Sequence, residues 1–152
     1  MPAHLAAQLT LSASLTLPAL ACSVSRARRT FTALCADHES VDDGRLLLSE
    51  AVANAVEHTD TEEVRVVIQH HPPSGRLICA VHDSDCEVPA SPAQTPGADA
   101  DAESGRGLHL IESMSEEWGH LVRPDGKWTW FSLRPADADS APRSESTPGE
   151  RP

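Results

Sequence analysis

Basic residues are scarce in this chain of 152 residues: 12 Lys and Arg stand against 23 Asp and Glu, a formal net charge of −11. Non-specific nucleic-acid binding needs clustered cations that displace phosphate counterions, so the balance argues against direct nucleic-acid contact and against a polybasic membrane dock. No apolar run is long enough to span a bilayer. Cysteines are few, and Cys22, Cys35, Cys79 and Cys86 show no CxxC pair and no regular spacing. They read as free thiols in a reducing compartment. Residues 2–21 hold no Lys or Arg. LTLSASLTLPALACS therefore has the apolar core and small-residue end of a signal peptide but lacks the basic n-region. The expectation is a cytoplasmic protein, of a length that suits one domain with a single core.

What is present is a run of alternating periods. Leu9, Leu11, Leu15 and Leu17 alternate with polar positions, which predicts a strand pair. SVSRARRTFTALCADH follows as a helix with Ser23 or Ser25 as N-cap, then ESVDDG as a loop. LLLSEAVANAVEHTD (46–60) is a second helix, ended by Thr59-Asp60. VRVVIQ (64–69) and RLICAVHD (76–83) are β-rich and joined by HHPPSG, hence a hairpin. Residues 88–104 carry three prolines, small residues and acids without a base, and read as a mobile loop. A helix beginning near Gly107 comes next, then GHLVRP and KWTWFSLRP flanking Asp125-Gly126, a hairpin signal. These elements predict an α+β fold: a two-layer α/β sandwich with a mixed, mostly antiparallel sheet and helices on one face. The expected division is an extension over 1–8, a domain over 9–134 and a disordered tail over 135–152.

Three places carry candidate chemistry. Glu50, Asn54 and His58 follow one another at intervals of four on an otherwise apolar helix. A carboxamide oxygen one turn from a carboxylate suits a hard cation and a proton acceptor, although a solvated polar stripe has the same spacing. Asp83 ends the row Leu77, Cys79, Val81, which shares one face of a strand. An inward carboxylate needs a partner, since an unpaired buried ion costs several kcal/mol, and a ligand amino group would serve. Third, Ser104-Gly105-Arg106-Gly107 precedes a helix, where glycines and unpaired N–H groups favour phosphate. Cys79, His82 and Cys86 mimic a zinc ligand set, but Cys79 and His82 point to opposite faces of a strand.

In this order, SEAVANAVEH, a strand ending in Asp83, a variable loop, ESGRGLHLI and a terminal hairpin resemble the histidine-kinase-like (GHKL) ATPases. The likeness covers about residues 9–134 and is nearest to the small bacterial anti-sigma-factor serine/threonine kinases. It implies ATP and Mg²⁺ between helices and sheet, with Asn54 holding the metal, Glu50 the general base and Asp83 on the exocyclic amine of adenine. Gly105 and Gly107 match the glycine motif at the phosphates, with Arg106 and Leu108 in the same nucleotide-binding segment, and 88–104 becomes the ATP lid. The implied partners are a sigma factor and a serine-bearing antagonist protein, and the implied assembly is a homodimer. A non-catalytic ATP-binding module that sequesters a partner is the alternative. Two departures stand out: Ser84-Asp85-Cys86-Glu87 has acids where the common box has glycines, and Trp128 stands where a small hydroxyl residue is expected. Lys127 is open to two readings, a phosphate contact or a solvent-facing turn residue; His58 reads as a helix cap.

Overall fold

The computed structural model describes residues 10–89 and 103–135, with side chains from 106 onward in the second stretch. The N-terminal extension, most of the expected lid and nearly all of the expected tail lie outside the described residues. The elements are β1 (Leu11–Pro18), α1 (Cys22–Cys35), α2 (Val41–His58), β2 (Glu63–His71), β3 (Arg76–Asp83), α3 (Glu103–Met114), β4 (Glu117–Arg123) and β5 (Gly126–Leu133). The strands form one sheet in the order β1-β2-β3-β5-β4. Every pairing is antiparallel, so the sheet is not mixed among the described residues.

One face of the sheet carries the core. Leu17, Val64, Val66, Ile68, Cys79, Val81 and Phe131 project from it against Phe31 of α1, Leu47, Leu48 and Val52 of α2, and Ile111 of α3, all nearly inaccessible. Each such side chain contributes about 1.5–3 kcal/mol through burial. The other face bears Ser14, Thr16, Arg65, His82, Trp128 and Trp130. Period-two alternation thus divides the sheet as the sequence pattern requires.

Four local expectations need correction. Residues 11–18 make one strand, not a pair, because no turn residue interrupts them before Pro18. Neither Ser23 nor Ser25 caps α1: the N-cap is Ala21, and Ser23 is buried in the first turn with Oγ donating to Pro18 O at 2.6 Å. Helix α2 starts at Val41, so most of the predicted loop is its first turn, where Asp42 and Asp43 complement the helix dipole. Helix α3 starts at Glu103, four residues before Gly107.

The early start of α2 depends on Gly44. A methyl group there would lie 2.2 Å from Phe31 Cζ, so α1 and α2 cross where only glycine fits. Its helix propensity is poor, but contact with a fully buried Phe compensates. Gly44→Ala is expected to cost about 1–3 kcal/mol by overpacking. The urea midpoint should fall accordingly, and Phe31→Leu in the same chain should recover part of the loss.

Candidate nucleotide site

Helix α2 lays Leu47, Leu48, Ala51, Val52 and Ala55 on the sheet, which leaves Glu50 and Asn54 half-buried along its edge. The first turns of α3 close on that edge. A methyl added at Gly107 would fall 3.0 Å from both Glu50 Oε2 and Asn54 Nδ2, and 3.2 Å from Asn54 Oδ1. The contact is tight, and it places the carboxylate and the carboxamide side by side against α3. Gly105 and Arg106 lie inside the first turn of α3, Arg106 exposed, while Leu108 is buried and lines a cavity of about 290 Å³. Asn54, Asp83, Thr129 and His120 line the same cavity.

Asp83 ends the inward row as expected, only 3% exposed. Its partner, however, is within the chain: Lys127 Nζ donates to Asp83 Oδ1 at 2.9 Å, and the Asp85 N–H donates to the same oxygen at 2.9 Å. Lys127 is thus not a solvent-facing residue; it is buried in the cavity wall, and its ammonium also donates to Asp85 O at 3.2 Å. No described residue bonds Asp83 Oδ2, which leaves that oxygen to accept from a ligand amino group.

Tertiary contacts hold Lys127 in place. The turn before it, Pro124-Asp125, is anchored from the far face of the sheet by Arg65 Nη2, 2.7 Å from Asp125 Oδ2. That guanidinium lowers the Asp125 pKa through its hydrogen bond. Arg65 also stacks over Trp128 at 5.4 Å, and the buried His82 ring lies 5.0 Å from the same indole. Gly126 has φ +140°, and a methyl there would sit 1.9 Å from Asp83 O, so only glycine admits the close pairing of β3 with β5.

The departures from the expected motif have physical accounts. Trp128 points to the outer face, and the hydroxyl that lines the cavity is the next residue, Thr129, opposite Val81. The segment after Asp83 does without glycine because no described non-glycine residue has positive φ. Its turns are instead held by carboxylates, with Asp85 Oδ1 accepting from the Glu87 N–H at 2.9 Å as Asp83 does from Asp85. His58 is not the cap of α2: Thr59 Oγ1 donates to Ala55 O there, and His58 lines the cavity. The zinc pattern fails as predicted, with Cys79 in the core opposite Phe131 and His82 under Trp128. All four cysteines are free, and burial raises the Cys35 pKa to about 11.

The fold, a sheet backed by helices, is shared by a solved structure. The crystal structure of the RsbU and RsbW domains of Rv1364c from Mycobacterium tuberculosis superposes with a TM-score of 0.61 at 20% identity. The match covers 82% of this chain and 32% of that one, so the chain spans about a third of that structure. The histidine kinase domain from Erythrobacter litoralis EL346 blue-light activated histidine kinase gives a TM-score of 0.47 at 14% identity, over 81% of this chain and 64% of that one. No curated protein sequence matches. The model of the histidine kinase-like ATPase domain matches residues 17–133, and the chain belongs to that family. Among the described residues, no helix is long and apolar enough to cross a membrane.

The buried pair makes a stability prediction. Lys127→Met is expected to cost about 3–5 kcal/mol, because Asp83 is then left buried without its cation. Chemical denaturation should show that adding Asp83→Leu restores a large part of that loss.

Proposed function

We propose that the chain binds Mg-ATP in this cavity and transfers the γ-phosphate to a serine of an antagonist protein, as an anti-sigma-factor kinase. The observation that carries this is the packing of Gly107 against Glu50 and Asn54, which sets the carboxylate next to a carboxamide that lines the cavity together with Asp83. Hard oxygen donors are what Mg²⁺ takes, and Asn54 offers one on the cavity wall, so these residues fit the cofactor. Bound Mg²⁺ supplies neutralisation of phosphate charge. Asn54 Oδ1 holds the ion, and Asp83 Oδ2 accepts from the exocyclic amine of adenine. Leu108 packs in the cavity wall, and the N–H groups of Gly105 and Arg106, in the first turn of α3, face the phosphates. Glu50 accepts the proton of the attacking serine hydroxyl, which needs only a positioned carboxylate in a transfer governed by orientation and charge.

The motif likeness to the anti-sigma-factor kinases supports the partners, a sigma factor and its antagonist, together with a homodimeric assembly in the cytoplasm. A second reading, an ATP-holding module that sequesters its partner without transfer, is favoured by Asp85 and Glu87, two further carboxylates on the cavity.

Calorimetry with Mg-ATP should give saturable heat for the wild type and at least a tenfold weaker response for Asn54→Ala. Glu50→Ala should retain ATP affinity while transfer to the antagonist serine falls by about 10²–10⁴. No heat from the wild type overturns the reading, and an unchanged rate in Glu50→Ala overturns the base assignment. Binding without transfer to any serine-bearing partner points to the sequestering module. Asp85→Asn and Glu87→Gln should each tighten Mg-ATP by roughly threefold, as expected for removal of a partly solvated repulsion. That gain should shrink in high salt.

A further inference from the structure

His120, in the middle of β4, lines the cavity and carries a buried nitrogen that no described residue satisfies. Its Nδ1 lies 3.1 Å from Thr129 Oγ1, the residue directly opposite on β5. Its Nε2 is buried and has no hydrogen-bond partner among the described residues. A buried polar atom left bare is costly, and this one belongs to a residue that lines the cavity. The ring is not loose, since Trp118 packs edge-on at 5.6 Å and Thr129 fixes the other nitrogen.

The charge and tautomer of the ring follow from its neighbours. Burial holds the His120 pKa below its usual value, Lys127 lowers it further, and Asp83 opposes the shift in part. At neutral pH the imidazole therefore carries a single proton. When the Thr129 hydroxyl donates to Nδ1, that proton resides on Nε2, which makes the buried nitrogen of this cavity-lining residue a donor. Asp83, on the same wall, has Oδ1 occupied by Lys127 and Asp85 and Oδ2 open as an acceptor. The wall thus offers one acceptor and one donor to a flat polar edge.

We propose that His120 is a base-reading residue, its Nε2–H donating to the N1 nitrogen of adenine while Asp83 Oδ2 accepts from the neighbouring exocyclic amine. The proposal rests on the nucleotide reading above and adds to it the residue that sets base choice. Adenine presents a donor beside an acceptor, complementary to the pair. Guanine presents a carbonyl oxygen beside an N–H, which mismatches both positions. The orphaned nitrogen thereby gains its partner only when the right base enters.

The test uses Mg-ATP, Mg-GTP and the Mg complex of 1-deaza-ATP, which keeps the amine and the phosphates but replaces N1 by C–H. Calorimetry on the whole chain should show the wild type binding ATP about tenfold more tightly than 1-deaza-ATP, the size of one well-placed hydrogen bond in a closed site. GTP should bind more weakly still. His120→Ala should bind ATP and 1-deaza-ATP equally, and His120→Gln, which retains an N–H donor, should regain part of the preference. Equal binding of the two by the wild type overturns the assignment, as does an undiminished preference in His120→Ala. The wild-type ratio decides the matter even where a variant fails to fold. A wild type that binds none of the three overturns the nucleotide reading as well. Asn54-dependent ATP binding with a ratio indifferent to His120 overturns the base-reading role alone.

Discussion

The buried ion pair between Asp83 and Lys127 is the constraint on which the rest of the site depends. Two charges removed from water at the meeting of β3 and β5 are tolerable only if they face each other, so the pair ties these strands in one register. It consumes one oxygen of Asp83 and leaves the other for a ligand, and it stabilises the following turn through Asp85. Its positive charge also helps keep His120 neutral. Three features of the cavity wall therefore trace to a single lysine.

That lysine is positioned from the opposite face of the sheet. Arg65 bonds Asp125 and stacks on Trp128, His82 is buried beside the same indole, and the turn that precedes Lys127 is clamped as a result. Gly126 then allows β5 to approach the Asp83 carbonyl more closely than any side chain would permit. On the helical side the equivalent role falls to Gly107 and Gly44. The first lets α3 reach Glu50 and Asn54, and the second lets α2 cross α1 over Phe31. Close approaches at glycines thus frame the site and the helix pair beside it, tightest at Gly126 and Gly44.

Local order along the chain was legible because it depends on period. The row Leu77, Cys79, Val81, Asp83 reads as inward from alternation alone, and all four are buried in the fold. The strand RLICAVHD was bounded at Arg76 and Asp83, as found. The end of α2 at Thr59-Asp60 was equally clear. Helix starts were less so. Gly44 and the Gly105–Gly107 stretch argue against helix by propensity, yet α2 and α3 include them, since tertiary contact outweighs about 1 kcal/mol of glycine cost. Ser23 resembles an N-cap but bonds the carbonyl of Pro18 across the strand–helix turn.

The sequence by itself determined which groups are available: a carboxylate and a carboxamide one turn apart, a carboxylate ending an apolar strand row, and glycines opening a helix. Those follow from spacing, because the pitch of a helix and the pleat of a strand assign neighbours without reference to the rest of the molecule. Only the tertiary structure decided what each group meets. Lys127 and Asp83 are 44 residues apart, and Thr129 and His120 owe their shared cavity to the pairing of β4 with β5. Partners of that kind are chosen by strand order and by the space left between layers, and a one-dimensional pattern carries neither.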